Sequence, residues 1–254
     1  MIKELMIKEL FRKLLQKIFS STIATRIFSR DKKIYLNSSC QSFSGLTSDR
    51  EPFDLKLNKE FFDNKEGGFF IELGAFDGLT QSNTAFFEKY KNWKGILIEP
   101  SPEKFVECIR NRPNSTCLNE TCSDKANEFV SFNHVNGAMS KIVEDKKNSN
   151  IKTTTLEKIL DQQKVNQQID FLSLDVEGYE LKVLKGLNLD KYRPKYILVE
   201  IWAENKKAML RYLSNNGYKL VCNLSKYNLI QNPNWGDSGF HNDFLFLDLS
   251  STTN

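Results

Sequence analysis

Histidine, cysteine and proline are scarce in this 254-residue chain, at two, five and six residues. The cysteines, Cys40, Cys108, Cys117, Cys122 and Cys222, are odd in number and include no CxxC pair. That argues against a disulfide framework or a zinc knuckle and for a reducing, cytoplasmic setting. No run approaches the ~18 consecutive apolar residues of a membrane-spanning helix. An HExxH metal motif and Ser/His/Asp triad spacing are also missing, so hydrolase chemistry has no support in the sequence. The net charge is only +4, and residues 1–33 hold nine Lys/Arg against three Asp/Glu, which leaves the remainder at −2. A body of that sign argues against a nucleic-acid surface spread over the main domain.

What is present is a chain with 40% apolar and 12% aromatic residues, enough for one large, well-filled domain. The basic excess lies in an amphipathic helical pattern, with Ile2, Met6, Leu10, Leu14 and Ile18 on one stripe and Lys/Arg between. Such a helix suits peripheral contact with an anionic membrane surface or a partner, and with greater weight a helix packed on its own domain. Residues 31–60 are polar and turn-rich and read as a connector, so the expected division is 1–60 for helix and connector and 61–250 for the main domain. From residue 69 short β-branched and aromatic runs recur: FFIELGA, GILIEP, FLSLDV and YILVEIW. Helical stretches separate them, with N-caps expected at Ser82, Ser101 and Thr155. This alternation predicts a doubly wound, mostly parallel Rossmann-like α/β sheet. YKLVCNLS, YNLIQ and NDFLFL predict an antiparallel C-terminal edge, with NLSKYN as a hairpin. Segment 131–152 reads as a loop or short edge strands over the site.

The motifs with chemical content lie at the strand ends. Glu72-Leu73-Gly74-Ala75-Phe76-Asp77-Gly78 follows an apolar strand and precedes the helix start Ser82-Asn83-Thr84. Gly74 allows a sharp turn and close ligand approach, and Gly78 allows close helix packing. It is not the GxGxxG dinucleotide fingerprint, because Phe76 stands where a pyrophosphate needs glycine. A cofactor with an amino-acid tail suits it better, with Glu72 and Asp77 facing the ammonium. Glu99, 21 residues past Gly78 and beside Pro100, is placed to grip the two hydroxyls of a ribose. Ser123-Asp124 reads as an adenine contact or a plain turn. Asp175-Val176-Glu177-Gly178 follows the FLSL strand, where carboxylates point into a ligand crevice or cap the next helix. Glu200 closes the YILVEIW strand. Acids thus end four strands, a charge cluster that needs a sulfonium, a divalent metal or raised pKa values to relieve it. His134 and His241 are the candidate histidine bases.

In sequence the segments ELGAFDGLTQSNTAFFEKYKNWKGILIEPSPEKFVECIRNRPN, TCSDK, TTTLEKIL, IDFLSLDVEGYELKVLKGL and YILVEIW resemble, in order and spacing over residues 69–202, the FkbM family of S-adenosylmethionine-dependent methyltransferases. The final HNDFLFL resembles the family's closing strand. The resemblance implies that Glu72, Gly74, Ala75 and Gly78 line the methionine part of the cofactor, with Asp77 and Asn83 in the same set. It implies that Glu99 and Pro100 hold the ribose and Ser123 with Asp124 the adenine. Asp175 and Glu177 would face the reacting centre, Asp175 as base or metal ligand, with Glu200, His134 and His241 as alternates. The implied reaction is O-methylation of a hydroxyl on a sugar, glycan or related small molecule. Phe76 departs from the family's usual Asn, which keeps open a catalytically silent interaction module. A nucleotide-sugar enzyme on the same fold is the other alternative.

Overall fold

The apolar runs become the parallel strands of one sheet in the computed structural model, which describes residues 35–36, 41–49, 51–133, 141–143, 151–226 and 241–252. The strands are β1 (Tyr35–Leu36), β2 (Gln41–Ser42), β3 (Phe69–Leu73), β4 (Lys94–Ile98), β5 (Thr116–Leu118), β6 (Thr121–Cys122), β7 (Phe129–Asn133), β8 (Lys141–Val143), β9 (Ile151–Thr154), β10 (Phe171–Leu174), β11 (Tyr196–Trp202), β12 (Tyr218–Asn223) and β13 (His241–Asp248). The α-helices are α1 (Phe53–Glu60), α2 (Ala85–Lys91), α3 (Pro102–Asn111), α4 (Leu156–Gln162), α5 (Glu180–Lys185) and α6 (Lys206–Asn215).

Seven strands pair in the order β12-β13-β11-β10-β3-β4-β5. The run from β11 to β5 is parallel, and β13 lies antiparallel to both β11 and β12. The chain leaves β3 for β4 on one side and later returns to β10 on the other. This creates a switch point where helices diverge and a crevice opens at the carboxyl ends.

The strands read as nearly unbroken apolar runs because both sheet faces are covered. Ile71, Leu73, Leu172, Leu174, Ile197 and Val199 pack on one side with residues of α4, α5 and α6. Phe70, Leu97, Phe171 and Leu198 pack on the other with residues of α1, α2 and α3. Each fully buried Leu, Ile or Phe contributes about 1.5–3 kcal/mol. Phe62 adds an aromatic knot, its ring 5.1, 5.3 and 5.2 Å from those of Phe87, Trp93 and Phe171.

Ser101 and Thr155 cap α3 and α4, accepting from the N–H groups of Lys104 and Lys158 at 3.4 and 3.2 Å. Ser82 accepts from Thr84 and Ala85 at the start of α2. Two expectations need correction. The 31–60 stretch, read as a turn-rich connector, contains α1, and its Phe43, Phe53 and Leu57 are buried in one core cluster with Phe70, Leu97 and Phe171. Ser123-Asp124 follows β6, which pairs with β9 in a second sheet ordered β6-β9-β7-β8; the expected third strand breaks after Leu118. The described parts of 131–152 form short strands, one of the two forms expected there. Strand β12 pairs directly with β13, and the expected NLSKYN hairpin runs past the described residues at Lys226. The 1–30 helix and YNLIQ lie outside the described residues.

Candidate active site

The crevice floor is the turn after β3. Gly74 has φ +77° and Gly78 φ +78°, the left-handed region in which a side chain is strained. A Cβ on Gly74 would sit 1.7 Å from the Asp175 carbonyl oxygen, so glycine is what lets this turn touch the end of β10. The N–H groups of Gly74 and Ala75 donate to the Ile98 carbonyl at 3.1 and 3.2 Å, which ties the turn to β4. Phe76 has φ +49°. Its N–H donates to Glu99 Oε2 at 2.7 Å, and its ring lies 4.4 Å from Lys104 Nζ. The bond from position 76 to Glu99 thus runs through the backbone N–H.

The four strand-end acids have different tasks. Glu72 accepts from Ser82 Oγ (2.9 and 3.1 Å), the Asn83 N–H (2.9 Å) and Thr84 Oγ1 (2.6 Å), and Arg112 Nη1 is 3.4 Å away. Asp77 accepts from the N–H groups of Leu79 and Thr80 and from Thr80 Oγ1, which closes an Asx-type turn. Their carboxylates thereby hold the turn and the start of α2. Glu99, just past the end of β4, accepts from Phe76 N–H and, at 2.8 Å, Ser101 N–H. Two bonds leave a carboxylate with spare lone pairs. Burial raises its pKa, against the backbone donors. Pro100, beside it, accepts from Asn119 Nδ2 at 3.0 Å.

Arg112 is the structural key that the sequence did not mark. Only 1% exposed, it donates to Glu88 Oε2 (2.7 Å), Gly78 O (3.0 Å), Ser82 Oγ (3.1 Å) and Thr84 Oγ1 (2.9 Å). A buried cation needs this many acceptors to offset its lost hydration. No spacing rule could find it, because its partners lie 24–40 residues away.

Asn83 bridges the turn and β10: its N–H goes to Glu72 and its Nδ2 donates to Ser173 Oγ at 3.1 Å. Its Oδ1 is a buried acceptor with no partner among the described residues. Such an atom costs about 1–3 kcal/mol unless a ligand donor meets it. Ser123 is buried, and its Oγ donates to Asp124 Oδ1 at 3.0 Å. The Ser123 carbonyl lies 2.2 Å from where a Cβ on Gly186 would stand, so this pair sits against the end of α5.

Strand alternation places Glu72, Ser173, Asp175 and Glu200 on the sheet face shared with Phe70, Phe171 and Leu198. Asp175 is hydrogen-bonded to Glu200, and burial pushes its carboxyl up to about 6. Glu200 is buried and its pKa lies well above the ordinary carboxylate range, through burial first and then the charges of Asp175, Asp243, Glu177 and Glu180. Its Oε1 is 2.5 Å from His241 Nδ1. The His241 ring stacks on Trp202 with centroids 5.4 Å apart, because Trp202 and His241 are register partners across β11 and β13. Asp175, Glu200 and His241 thus meet, although 66 residues separate the first from the last.

Asp175 does not cap the following helix, which begins at Glu180. Glu180, unmarked by the sequence reading, accepts from the N–H groups of Val176 and Gly178 at 3.1 and 2.9 Å and clamps the 175–178 turn, with burial pushing its carboxyl up to about 7. Glu177 has φ +56° and is half-buried in that turn. His134 lies outside the described residues. Among those described, no three His, Cys, Asp or Glu side chains are grouped to hold a metal ion. None of the described helices is long and apolar enough to cross a membrane.

The sheet order, the glycine turn against β10 and the acid at the end of β4 define a methyltransferase-type α/β domain. The family model described as the methyltransferase FkbM domain matches residues 72–220. The chain belongs to that family and is an S-adenosylmethionine-dependent methyltransferase. No curated protein matches it. Among solved structures it is similar to fibrillarin of Methanococcus jannaschii, at 16% identity and TM-score 0.48 over 89% of this chain and 87% of that one. Aeropyrum pernix fibrillarin with bound S-adenosyl-L-methionine follows at 14% and 0.46 over 77% and 73%. Precorrin-6y C5,15-methyltransferase of Geobacter metallireducens stands at 10% and 0.44 over 81% and 93%. Likenesses this loose transfer no substrate.

Proposed function

We propose that this methyltransferase O-methylates a hydroxyl of a small-molecule acceptor, such as a sugar or glycan, at the carboxyl ends of β3 and β10, where the Gly74 turn meets Asp175. The observation that carries this reading is the contact of Asp175 with Glu200 and, through it, His241 beside the glycine turn. An alcohol is a weak nucleophile and needs a proton acceptor at the site of transfer.

The residues present fit S-adenosylmethionine. The orphaned Asn83 Oδ1 accepts from the ammonium, Glu99 takes the ribose hydroxyls with lone pairs its two backbone donors leave open, and Ser123 with Asp124 meets the adenine. Gly74, Ala75 and Gly78 shape the floor, Pro100 sets the Glu99 turn, and Glu72 and Asp77 hold that floor rigid. The bound cofactor supplies an electrophilic methyl group on a positively charged sulfonium. Asp175 takes the acceptor's hydroxyl proton; Glu200 keeps Asp175 oriented, and Glu177 lines the approach. The acid cluster favours neutral or cationic acceptors over phosphorylated ones, since like charges repel strongly in a low-dielectric crevice.

The test is calorimetric titration with S-adenosylmethionine and its demethylated product, followed by labelled methyl transfer to a panel of free and lipid-linked sugars. The expected result is saturable binding and transfer that Asp175→Asn abolishes while binding persists. Full transfer by that variant would sink the assignment of Asp175, and no binding by folded protein would favour a silent interaction module.

A further inference from the structure

We infer that Asp175, Glu200 and His241 act as one proton-conducting unit, in which His241 is a positioning residue that sets the protonation state of Glu200 and opens the route from the crevice to solvent. The inference rests on the hydroxyl-methylation reading and extends it to where the proton goes.

The argument is geometric. Asp175 abuts the cofactor turn. Glu200, 7% exposed, has no direct route to water. Asp175 is half-buried at its turn and His241 carries 26% of its side-chain surface exposed, so His241 links the buried Glu200 carboxyl to bulk solvent. Asp175 contacts Glu200, and Glu200 Oε1 lies 2.5 Å from His241 Nδ1. Stacking on Trp202 holds the imidazole beside the Glu200 carboxyl.

Charge supports the same reading. Glu200 is faced by the carboxyls of Asp175 on the β10 loop, Glu177 and Glu180 at the start of α5, and Asp243 on β13, with Asp243 directly opposite it in register. Two adjacent carboxyls so placed cannot both stay ionised without a shared proton or a cation, and the imidazole beside Glu200 can become that cation. In transfer, the acceptor oxygen–methyl bond forms, the methyl–sulfur bond breaks with its electron pair remaining on sulfur, and the hydroxyl proton moves to Asp175. Glu200 takes that proton as it delivers its own to His241 Nδ1, and Nε2–H releases one to water. The imidazole is left as the Nδ1–H tautomer, and proton exchange with solvent restores the Nε2–H form before the next turnover.

The experiment uses the full chain and needs no known acceptor. The sequence has two histidines, so His134→Gln leaves one imidazole, whose nitrogens are followed by ¹⁵N NMR against pH. In that background the His241 midpoint should fall at least tenfold in proton affinity, about one pH unit, on Glu200→Gln. It should also move on Asp175→Asn, which the two-step path requires. The amide spectra report folding of each variant. An unchanged midpoint in both folded variants overturns the unit. Once an acceptor is found, His241→Ala should lower kcat tenfold or more with KM little changed, and added imidazole should restore it; loss without rescue assigns His241 a structural role and overturns the relay. Coupled titration in a protein that binds no S-adenosylmethionine would instead overturn the methylation reading and, with it, the proton route.

Discussion

Arg112→Met tests whether the cofactor turn hangs on a buried charge network. The guanidinium is held by Glu88 at 2.7 Å, Thr84 Oγ1 at 2.9 Å, Gly78 O at 3.0 Å, Ser82 Oγ at 3.1 Å and Glu72 at 3.4 Å. Methionine keeps much of the aliphatic volume and removes every donor. Glu72 keeps its bonds from Ser82, Asn83 and Thr84, and Glu88 keeps those from Asn114 N–H and Ser115 Oγ, but both buried carboxylates lose their cation. Breaking a buried pair from one side costs about 3–5 kcal/mol, a large part of the 5–15 kcal/mol typical of a domain. For a chain of this length that lowers Tm by roughly 6–20 °C. Calorimetry and urea titration measure it. Adding Glu88→Gln should recover part of the loss, since an uncompensated charge is its cause. A loss under about 1 kcal/mol, or no recovery in the double variant, would refute the reasoning.

Gly74→Ala should destabilise by more than about 3 kcal/mol and weaken S-adenosylmethionine binding, because a Cβ 1.7 Å from the Asp175 carbonyl must push β10 away; wild-type stability by urea titration would refute it. Phe76→Asn should leave S-adenosylmethionine affinity within about tenfold, or 1.4 kcal/mol, since the N–H of position 76 makes the bond to Glu99, whereas Glu99→Ala should cost more than tenfold by calorimetry. In the folded chain the Glu180 carboxyl lies at about 7 against an ordinary 4.5. Between those values the folded state keeps a proton that the unfolded chain has released, so stability falls as pH rises, by up to ~1.4 kcal/mol per unit. Glu180→Gln should flatten that slope in denaturant titrations from pH 4.5 to 7, and an unchanged slope would count against it.

The alternation of apolar runs with helical stretches was enough to determine the parallel sheet, because strands buried on both faces must be apolar throughout and crossovers must be amphipathic. The glycine turn and Glu99 were legible for a similar reason: their spacing is set by the length of one βα unit. Glu72 and Glu99 looked equivalent, each an acid at a strand end. Only tertiary structure assigned the first to Arg112 and the start of α2 and the second to the Phe76 and Ser101 N–H groups. Helix α1 was hidden in a polar stretch because it buries Phe53 and Leu57 while its other face meets water. Asp175 and Glu200 were visible as strand ends, but their contact with each other and with His241 depends on β10, β11 and β13 being neighbours. A linear pattern records which chemistry the chain carries. Strand order decides which groups share a proton, because hydrogen bonds act over about 3 Å of space, whatever the number of residues between the partners.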